Sequence, residues 1–522
     1  MRAIDFFDKG VDLAGDRIAL VEGDTRLSFA DLQAQTYRFA AALARDGAAR
    51  QSTAAIYAPN HYSVLIALFG IWRAGAKWIP VNARNSLTDN IAYLNYCRCE
   101  RLFYHSSMAA EAEEMRARIP SLRSLVCLDQ PNGGDRSLDQ FLDGLSPDDF
   151  VEASDCFGNL DEIVGIFATG GTTGPSKGVQ VTNLGWGTML ATAAMALETG
   201  DPRKVCLVVA PLTHAAGPVS TVMLSLGATN VVLPGFDAGA VIRAIQEHRV
   251  THMYLPPTAV YMLLDHPDAA TADFSSMRRL VVAGSPIAPD KLRQAVKVFG
   301  PCMCQCYGQV ESPMILCFLP AEDVAAAAAG DRPERLASCG KATSHVRLGI
   351  MDDDGRLLPV GERGEIVSRG PLVSLEYFEL PEATAEAHRD GWHHTGDVGY
   401  RDAEGYFYIV DRKKDMIITG GFNVFSAEVE AAVMELPEVM EAAVIGVPDE
   451  KWGEAVTACI VPAAGASIEG AAVIAHCKAR LGGVKAPKRV EVVDAIPKTA
   501  AGKPDKKALR ARYWTGTDRS VN

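Results

Sequence analysis

The sequence predicts an α/β protein: a large N-terminal domain of layered, mostly parallel sheets with flanking helices, then a small α+β domain. Three observations predict this. Short apolar runs alternate with helix-period stretches as far as Val310, the pattern of strands joined by crossover helices. Beyond the alanine run Ala325–Ala329 the texture changes to short strands among turns. A chain of 522 residues also exceeds what one hydrophobic core organises, and its length suggests about two to four domains.

The first helix is marked by Leu32, Thr36, Phe39 and Leu43 at helical spacing, with Ser28 able to cap it and Gly47 able to end it. A strand at Thr53–Tyr57, a helix from about His61 to Ala74 and a strand at Lys77–Val81 follow. Further strand-like runs lie at Val205–Ala210, Asn230–Leu233, Met253–Leu255, Leu280–Ala283 and Cys302–Tyr307. Helical stretches such as Ala238–His248 and Pro289–Phe299 separate them. The alanine run itself reads as a solvated helix or linker. Gly364–Val367 and Tyr406–Val410 read as short strands, and Asp411–Asp415 is a charge cluster between two apolar strands. From Met416 onward about 105 residues suit a single small domain. Its helix is expected to begin near Ser426, with Glu428 and Glu430 in the first turn, where the helix dipole favours carboxylates.

Composition excludes several classes. Hydrophobic residues make up 48% and charged residues 22%, the balance of an ordinary globular protein. A net charge of −13 without a long basic run argues against nucleic acid or an anionic membrane as partner. No signal-peptide core opens the chain, and Val64–Trp72, its longest apolar stretch, is far short of a membrane span. The chain has 12 cysteines, but none sits at zinc-ligand spacing. Cys302, Cys304 and Cys306 would share one face of a strand, and they read as small buried hydrophobes in a reducing, cytoplasmic compartment.

The chemistry gathers around Thr169-Gly170-Gly171-Thr172-Thr173-Gly174-Pro175-Ser176-Lys177-Gly178, which follows the apolar run Ile163–Phe167. Four glycines in this stretch let the backbone turn its N–H groups towards an anion. Adjacent threonines add hydroxyl donors and Lys177 a mobile point charge. This is equipment for a polyphosphate, though not the nucleotide P-loop, because Gly178 stands where a hydroxyl residue should follow the lysine. Downstream, Pro211-Leu212-Thr213-His214, Gly284-Ser285-Pro286 and Tyr307-Gly308-Gln309-Val310-Glu311 each end a strand. Then come Gly391-Trp392-His393-His394-Thr395-Gly396-Asp397, Asp411-Arg412 and Pro497-Lys498-Thr499-Ala500-Ala501-Gly502-Lys503. Taken singly, each has a bland explanation as a loop, cap or solvated charge. Their joint order does not.

Together these motifs resemble the adenylate-forming superfamily of acyl-CoA synthetases, aryl-acid ligases, peptide-synthetase adenylation domains and beetle luciferase. The resemblance runs from roughly Ala19 to Leu509 and is densest between Trp392 and Glu430. It implies an AMP-forming acid–CoA ligase using ATP, Mg²⁺ and CoA on a small carboxylic acid. The loop Thr169–Lys177, with Gly170, Gly171, Thr172, Thr173 and Gly174, would hold the β- and γ-phosphates. Gly284, Ser285, Tyr307 and Gly308 would wall the adenine slot, and Asp397 with Arg412 would take the ribose. Glu311 would hold Mg²⁺, and catalytic roles fall to Lys503, Glu311, Thr173 and His214. Lys414 is at the family's hinge position, so the resemblance implies a mobile small domain over 414–522 after a large domain over 1–413, and Gly420 and Gly421 match the loop lining the pantetheine channel. The acid pocket would comprise His214, Ala215, Ala216, Gly217, Gln309 and Val310.

The sequence departs from the family pattern in places. Gly170 and Ser176 replace a serine and a proline in the phosphate loop, which keeps its turn and polarity. Val310 stands where a threonine usually contacts the α-phosphate. His214 is followed by small apolar residues without the aspartate that amino-acid-activating relatives use. A buried ammonium would lack a partner there, so an aryl, arylpropenoic or medium-chain fatty acid is expected. The chain ends shortly after the lysine loop, so a fused carrier domain is not expected. An adenylating enzyme that passes its acyl group to an amine or a separate carrier protein stays open. So does a nucleotide-binding regulatory protein without the chemistry, for which Val310 is the sole support. The oligomeric state is open, a homodimer included, since no interaction heptads stand out.

Overall fold

The computed structural model describes residues 1–153, 157–169, 176–463, 465–498 and 504–514. By internal contacts they fall into two compact units. The first holds residues up to Thr169, 176–348 and Ser368–His393, and the second holds Gly349–Val367 and the chain from His394.

The first unit is layered α/β. One sheet has a parallel core in which Met303–Tyr307, Arg279–Val282, His252–Leu255, Val205–Val208, Thr229–Val232 and Ile18–Glu22 lie side by side. Antiparallel strands flank it: Thr25–Ser28 at one end, Cys317–Leu319 and Gly340–Ala342 at the other. The second sheet is eight-stranded. Its parallel strands Lys77–Pro80, Thr53–Tyr57, Arg101–Tyr104 and Ser124–Cys127 neighbour the hairpin Ile163–Ala168/Gly178–Thr182. Every residue of Thr53–Tyr57 is buried, as a parallel strand covered on both faces requires.

The expected elements form for the expected reasons. Ser28 caps the helix Phe29–Arg45, its hydroxyl accepting the Asp31 amide at 3.0 Å. His61 begins the helix Tyr62–Arg73. Cys302, Cys304 and Cys306 are all buried. Two readings change. The alanine run forms the end of the helix Ala321–Ala328 but is not simply solvated, because Val324 and Ala327 are fully buried. The charge cluster is split: Asp411 and Arg412 complete the strand Tyr406–Arg412, and Lys413–Asp415 make a single 3₁₀ turn.

In the second unit, His393–Arg401 and Tyr406–Arg412 form an antiparallel pair. A five-stranded sheet follows, built on the long pair Val439–Asp449/Gly453–Pro462. Alternation along this pair buries both faces. Val444, Val456, Ala458 and Ile460 pack with Val429, Val433, Val473 and Cys477 of two helices. Ala443, Ile445, Val447 and Cys459 pack with Ile496 and Leu509 on the other side. The helix Ser426–Val433 begins where the sequence places it, but Glu430 does not serve the dipole. Its carboxylate accepts the Val444 amide at 2.7 Å and pairs with Lys506 at 2.8 Å. No helix among the described residues is long and apolar enough to cross a membrane.

Candidate active site

In open parallel sheets, ligands collect outside the carboxyl ends of the strands. The strands Val205–Val208, Arg279–Val282 and Met303–Tyr307 run parallel in one sheet, so the segments at His214, Gly284–Ser285 and Tyr307–Glu311 leave it from the same edge. Gly284 has φ +90°, a conformation that favours glycine, and a Cβ there would sit 3.4 Å from the Tyr254 hydroxyl. Tyr307 is buried at its strand end. Gly308 is required by close approach: a Cβ would lie 2.5 Å from the Met314 carbonyl carbon. The Gln309 amide donates to the Ser312 carbonyl at 3.1 Å, folding the turn that presents half-buried Val310 and Glu311.

His214 is exposed. Its amide donates to the Pro211 carbonyl at 2.9 Å, and the Gly217 amide donates to the His214 carbonyl at 3.2 Å, leading into the helix Ala216–Ser225. Ala215 precedes that helix, and a Cβ on Gly217 would lie 2.3 Å from the Leu212 oxygen. The segment is fastened by buried Asn60, which follows the strand Thr53–Tyr57. Its carbonyl accepts the Leu212 amide at 2.8 Å, and its amide donates to the Ala210 and Leu233 carbonyls at 3.0 and 3.1 Å. Sequence reasoning did not single out Asn60. Its position just after an apolar strand was the available signal.

The ends of the glycine-rich loop are pinned to each other. The Thr169 amide donates to the Lys177 carbonyl at 2.9 Å, and the Lys177 amide donates to the Thr169 hydroxyl at 3.1 Å. A Cβ on Gly178 would meet Ile166 at 2.7 Å and the Tyr96 ring at 3.2 Å, so packing excludes a larger residue after the lysine. The Lys177 ammonium lies 4.8 Å from the centroid of the Tyr377 ring. The Tyr377 hydroxyl donates to Glu311 Oε1 at 2.8 Å. Burial raises the Tyr377 pKa and the Glu311 charge raises it further, so the phenol stays a donor. Lys177 and Glu311 are thus brought onto one side chain that sequence reasoning missed. Tyr377 lies in a two-residue strand, Glu376–Tyr377, too short to show a period. Gly170, Gly171, Thr172, Thr173, Gly174 and Lys503 lie outside the described residues.

In the second unit, Asp397 and Arg412 face each other across the antiparallel pair, with Arg412 Nε 3.5 Å from Asp397 Oδ1. Asp397 is 6% exposed, and its amide donates to the Thr395 hydroxyl at 3.1 Å. That hydroxyl donates to the Ile366 carbonyl at 2.6 Å. Buried Glu365 holds the same turn, accepting the Gly396 amide at 3.0 Å and facing His394 Nδ1 at 3.0 Å and Lys413 at 3.4 Å. Burial works to raise the Glu365 pKa, but these bonds and the Lys413 charge outweigh it and hold the carboxyl below its ordinary value. Lys414 lies in the 3₁₀ turn Lys413–Asp415, where burial and then the Arg412 charge lower its pKa. Gly420 and Gly421, with φ +58° and +80°, form the two-residue hairpin between Ile417–Thr419 and Phe422–Val424. A turn with two positive φ values favours glycine at both positions.

The first unit is a layered α/β fold whose parallel strands send these segments out from one edge. The chain matches the AMP-binding enzymes over residues 7–378 and the C-terminal domain of AMP-binding enzymes over residues 428–503. It belongs to the AMP-binding enzymes of the adenylate-forming superfamily. It is 45% identical over 370 residues to the medium/long-chain-fatty-acid–CoA ligase FadD8 of Mycobacterium tuberculosis, a match spanning 69% of this chain and 63% of that protein. It is 36% identical to a feruloyl-CoA synthase of Amycolatopsis sp, over 95% of this chain and 96% of the relative. The structure of the amide bond synthetase McbA from Marinactinospora thermotolerans superimposes with a TM-score of 0.87 at 30% identity, covering 98% of this chain and 100% of that one.

Proposed function

We propose that this chain is an AMP-forming acid–CoA ligase that activates an aryl, arylpropenoic or medium-chain fatty acid. A carboxylate oxygen attacks the α-phosphate of ATP, the bond to pyrophosphate breaks, and an acyl-AMP forms. The thiolate of CoA then attacks the acyl carbon, and AMP leaves with the bonding pair. The observation that carries this reading is the convergence of Lys177 and Glu311 on Tyr377 beside the glycine-rich hairpin. It sets a cation for the β- and γ-phosphates close to a carboxylate for their metal.

The donor set fits a magnesium–nucleotide rather than a protein-caged ion. Among the described residues no group of three or more His, Cys, Asp or Glu could hold a metal, whereas Mg²⁺ commonly takes one or two carboxylates and completes its shell from phosphates and water. When bound, the ion neutralises phosphate charge as a Lewis acid. Glu311 would hold it, with one oxygen already fixed by the Tyr377 hydroxyl. Asp397, ionised, would accept both ribose hydroxyl hydrogens, with Arg412 beside it. Gly284, Ser285, Tyr307 and Gly308 would wall the adenine. Lys503 would bring its ammonium to the reacting oxygens, and Thr173 its hydroxyl to the phosphates. His214 would line the carboxylate end of a pocket formed with Ala215, Ala216, Gly217, Gln309 and Val310.

The second half-reaction requires Lys503 to withdraw. We assign that motion to a small domain over 414–522 turning about Lys414, with Gly420 and Gly421 lining the pantetheine channel. The support is the single 3₁₀ turn Lys413–Asp415, which ends one strand pair before the next sheet begins. The absence of an aspartate after His214 supports an uncharged acyl group, and the medium/long-chain and feruloyl ligases are relatives of that kind. Burial of the cysteines on strand faces supports a cytoplasmic enzyme. A second reading, transfer of the acyl group to an amine, is favoured by the likeness to McbA.

The test is incubation with ATP, Mg²⁺ and a mixed panel of carboxylic acids, with and without CoA, read by mass spectrometry. Acyl-CoA and AMP appearing together support the ligase and name the acid class. Acyl-AMP that accumulates and ignores CoA favours an amine or carrier acceptor. Neither product, with ATP binding measured separately, sinks the ligase reading for those acids.

A further inference from the structure

We propose that Tyr377 is the positioning residue of the metal–phosphate end of this site, holding Glu311 through its hydroxyl and Lys177 on its ring face. The proposal rests on the reading of Glu311 as the metal ligand. Three features place the phenol. Its short strand pairs with the strand that leaves the glycine-rich loop, Tyr377 opposite Val179 and Glu376 opposite Gln180. The Phe378 amide donates to the Gly178 carbonyl at 2.7 Å, and Gln180 Nε2 donates to Glu376 Oε1 at 2.7 Å. On its other side the Tyr377 amide donates to the Thr384 hydroxyl at 3.0 Å. The ring is 8% exposed, so its direction is set by packing as well as by these bonds.

This placement matters because a lysine and a glutamate meant for different partners are close enough to touch one side chain. Paired directly, they would neutralise each other, and the ammonium would be lost to phosphate and the carboxylate to a cation. The phenol offers each a weaker, neutral partner. A cation over an aromatic face is held by the ring quadrupole, and a phenol hydroxyl satisfies one carboxylate oxygen without cancelling its charge. The Ser374 amide, donating to the Glu311 main-chain carbonyl at 2.7 Å, fixes the same residue from its backbone. Glu311 is thus oriented before a nucleotide arrives, and among the described residues the phenol engages only one of its two carboxylate oxygens. Lys177 is parked, not locked.

The experiment uses the full-length protein and Mn²⁺ as a spectroscopic substitute for Mg²⁺. Binding is followed by electron paramagnetic resonance with α,β-methylene-ATP, which cannot be cleaved at the α-phosphate. Tyr377→Phe keeps the ring and removes the hydroxyl, and it should weaken Mn²⁺ binding about tenfold, as expected for losing a hydrogen bond to a charged group. Affinity for the acid should not change. Glu311→Gln should weaken Mn²⁺ binding more, and the double variant should be no worse than Glu311→Gln alone, because both act through one carboxylate. Tyr377→Leu removes the ring under Lys177 and should also weaken the nucleotide analogue relative to Tyr377→Phe.

If Tyr377→Phe matches the wild type while Glu311→Gln is impaired, the positioning role is overturned and the metal reading stands. If Glu311→Gln also matches the wild type, the metal reading fails and the proposal fails with it. Equal analogue affinity in the Leu and Phe variants overturns the part assigned to the ring.

Discussion

At Val310 the proposed site departs from the family pattern, in which a threonine is usual. The side chain is half-buried between Gln309 and Glu311 in the turn closed by the Gln309–Ser312 hydrogen bond. Valine has threonine's shape without its hydroxyl, so on the proposed reading of the site it fills the same space and would offer the α-phosphate no hydrogen bond. A hydrogen bond to a charged group contributes about 1.5–3 kcal/mol in typical cases. Val310→Thr should therefore leave unfolding unchanged and lower the apparent KM for ATP, read in pyrophosphate exchange at saturating acid. An unchanged or raised KM would remove the idea that this position touches the nucleotide. The residue scale also shows what single-residue reasoning could not reach. Val310, Glu311 and Asp397 were singled out in the chain because each sits in a recognisable run. Tyr377 and Asn60 were not, because their importance lies in the partners that folding brings to them.

At the scale of elements, the most consequential arrangement is the buried polar cluster around the start of the helix Ser426–Val433. Asp411, at the end of one strand, accepts the Ser426 amide and its hydroxyl, placing a carboxylate at a helix N-terminus. Lys506, from the last described helix, donates to the Ser426 hydroxyl at 2.7 Å and pairs with Glu430 at 2.8 Å. Arg510, one turn further on, pairs with Asp415 at 2.9 Å. Burial raises the Asp411 and Glu430 pKa values against the pull of Lys506. The lysine in turn is held charged by Glu430, Asp411 and Asp415 despite its own burial. Removing one partner of a buried ion pair leaves an uncompensated charge and typically costs about 3–5 kcal/mol. Lys506→Met should lower stability by that order in urea unfolding, and a change under about 1 kcal/mol would show that the cluster is solvated.

His252 gives the first unit a pH dependence. The imidazole is 2% exposed, with Nε2 donating to the Leu197 carbonyl at 2.9 Å and Nδ1 accepting from Thr251 at 2.7 Å. Burial pushes its pKa down from 6.5 to about 4. The unfolded chain takes up the proton first, so the contribution is complete above the unfolded value and is lost as pH falls towards about 4. The shift corresponds to at most about 3 kcal/mol. Urea midpoints should fall between these pH values, and His252→Gln should flatten that slope relative to the wild type. Equal slopes in the two proteins would mean that the ring takes a proton in the native state.

At the scale of the whole molecule, the proposed mechanism asks one lysine, Lys503, to serve one half of the reaction and leave for the other. Lys503→Ala should abolish acyl-AMP formation while ATP binding stays within a few-fold of the wild type, and the isolated acyl-AMP should still be converted to acyl-CoA. Loss of both halves would place the lysine in nucleotide binding or in folding; loss of neither would remove its catalytic role.

The sequence by itself determined the alternation of strands and helices and the order of the motifs that mark the family. It could do so because period, caps and glycine requirements are local: Ser28 meets Asp31, and Gly420 needs only its own φ. Only the tertiary structure decided that Tyr377 joins Lys177 to Glu311, that Asn60 fastens the His214 segment and that Glu430 meets Lys506 rather than the helix dipole. Such pairings join residues tens to hundreds of positions apart. A buried charge or hydroxyl is satisfied by whatever folding places beside it, and no local pattern in the chain records that neighbour.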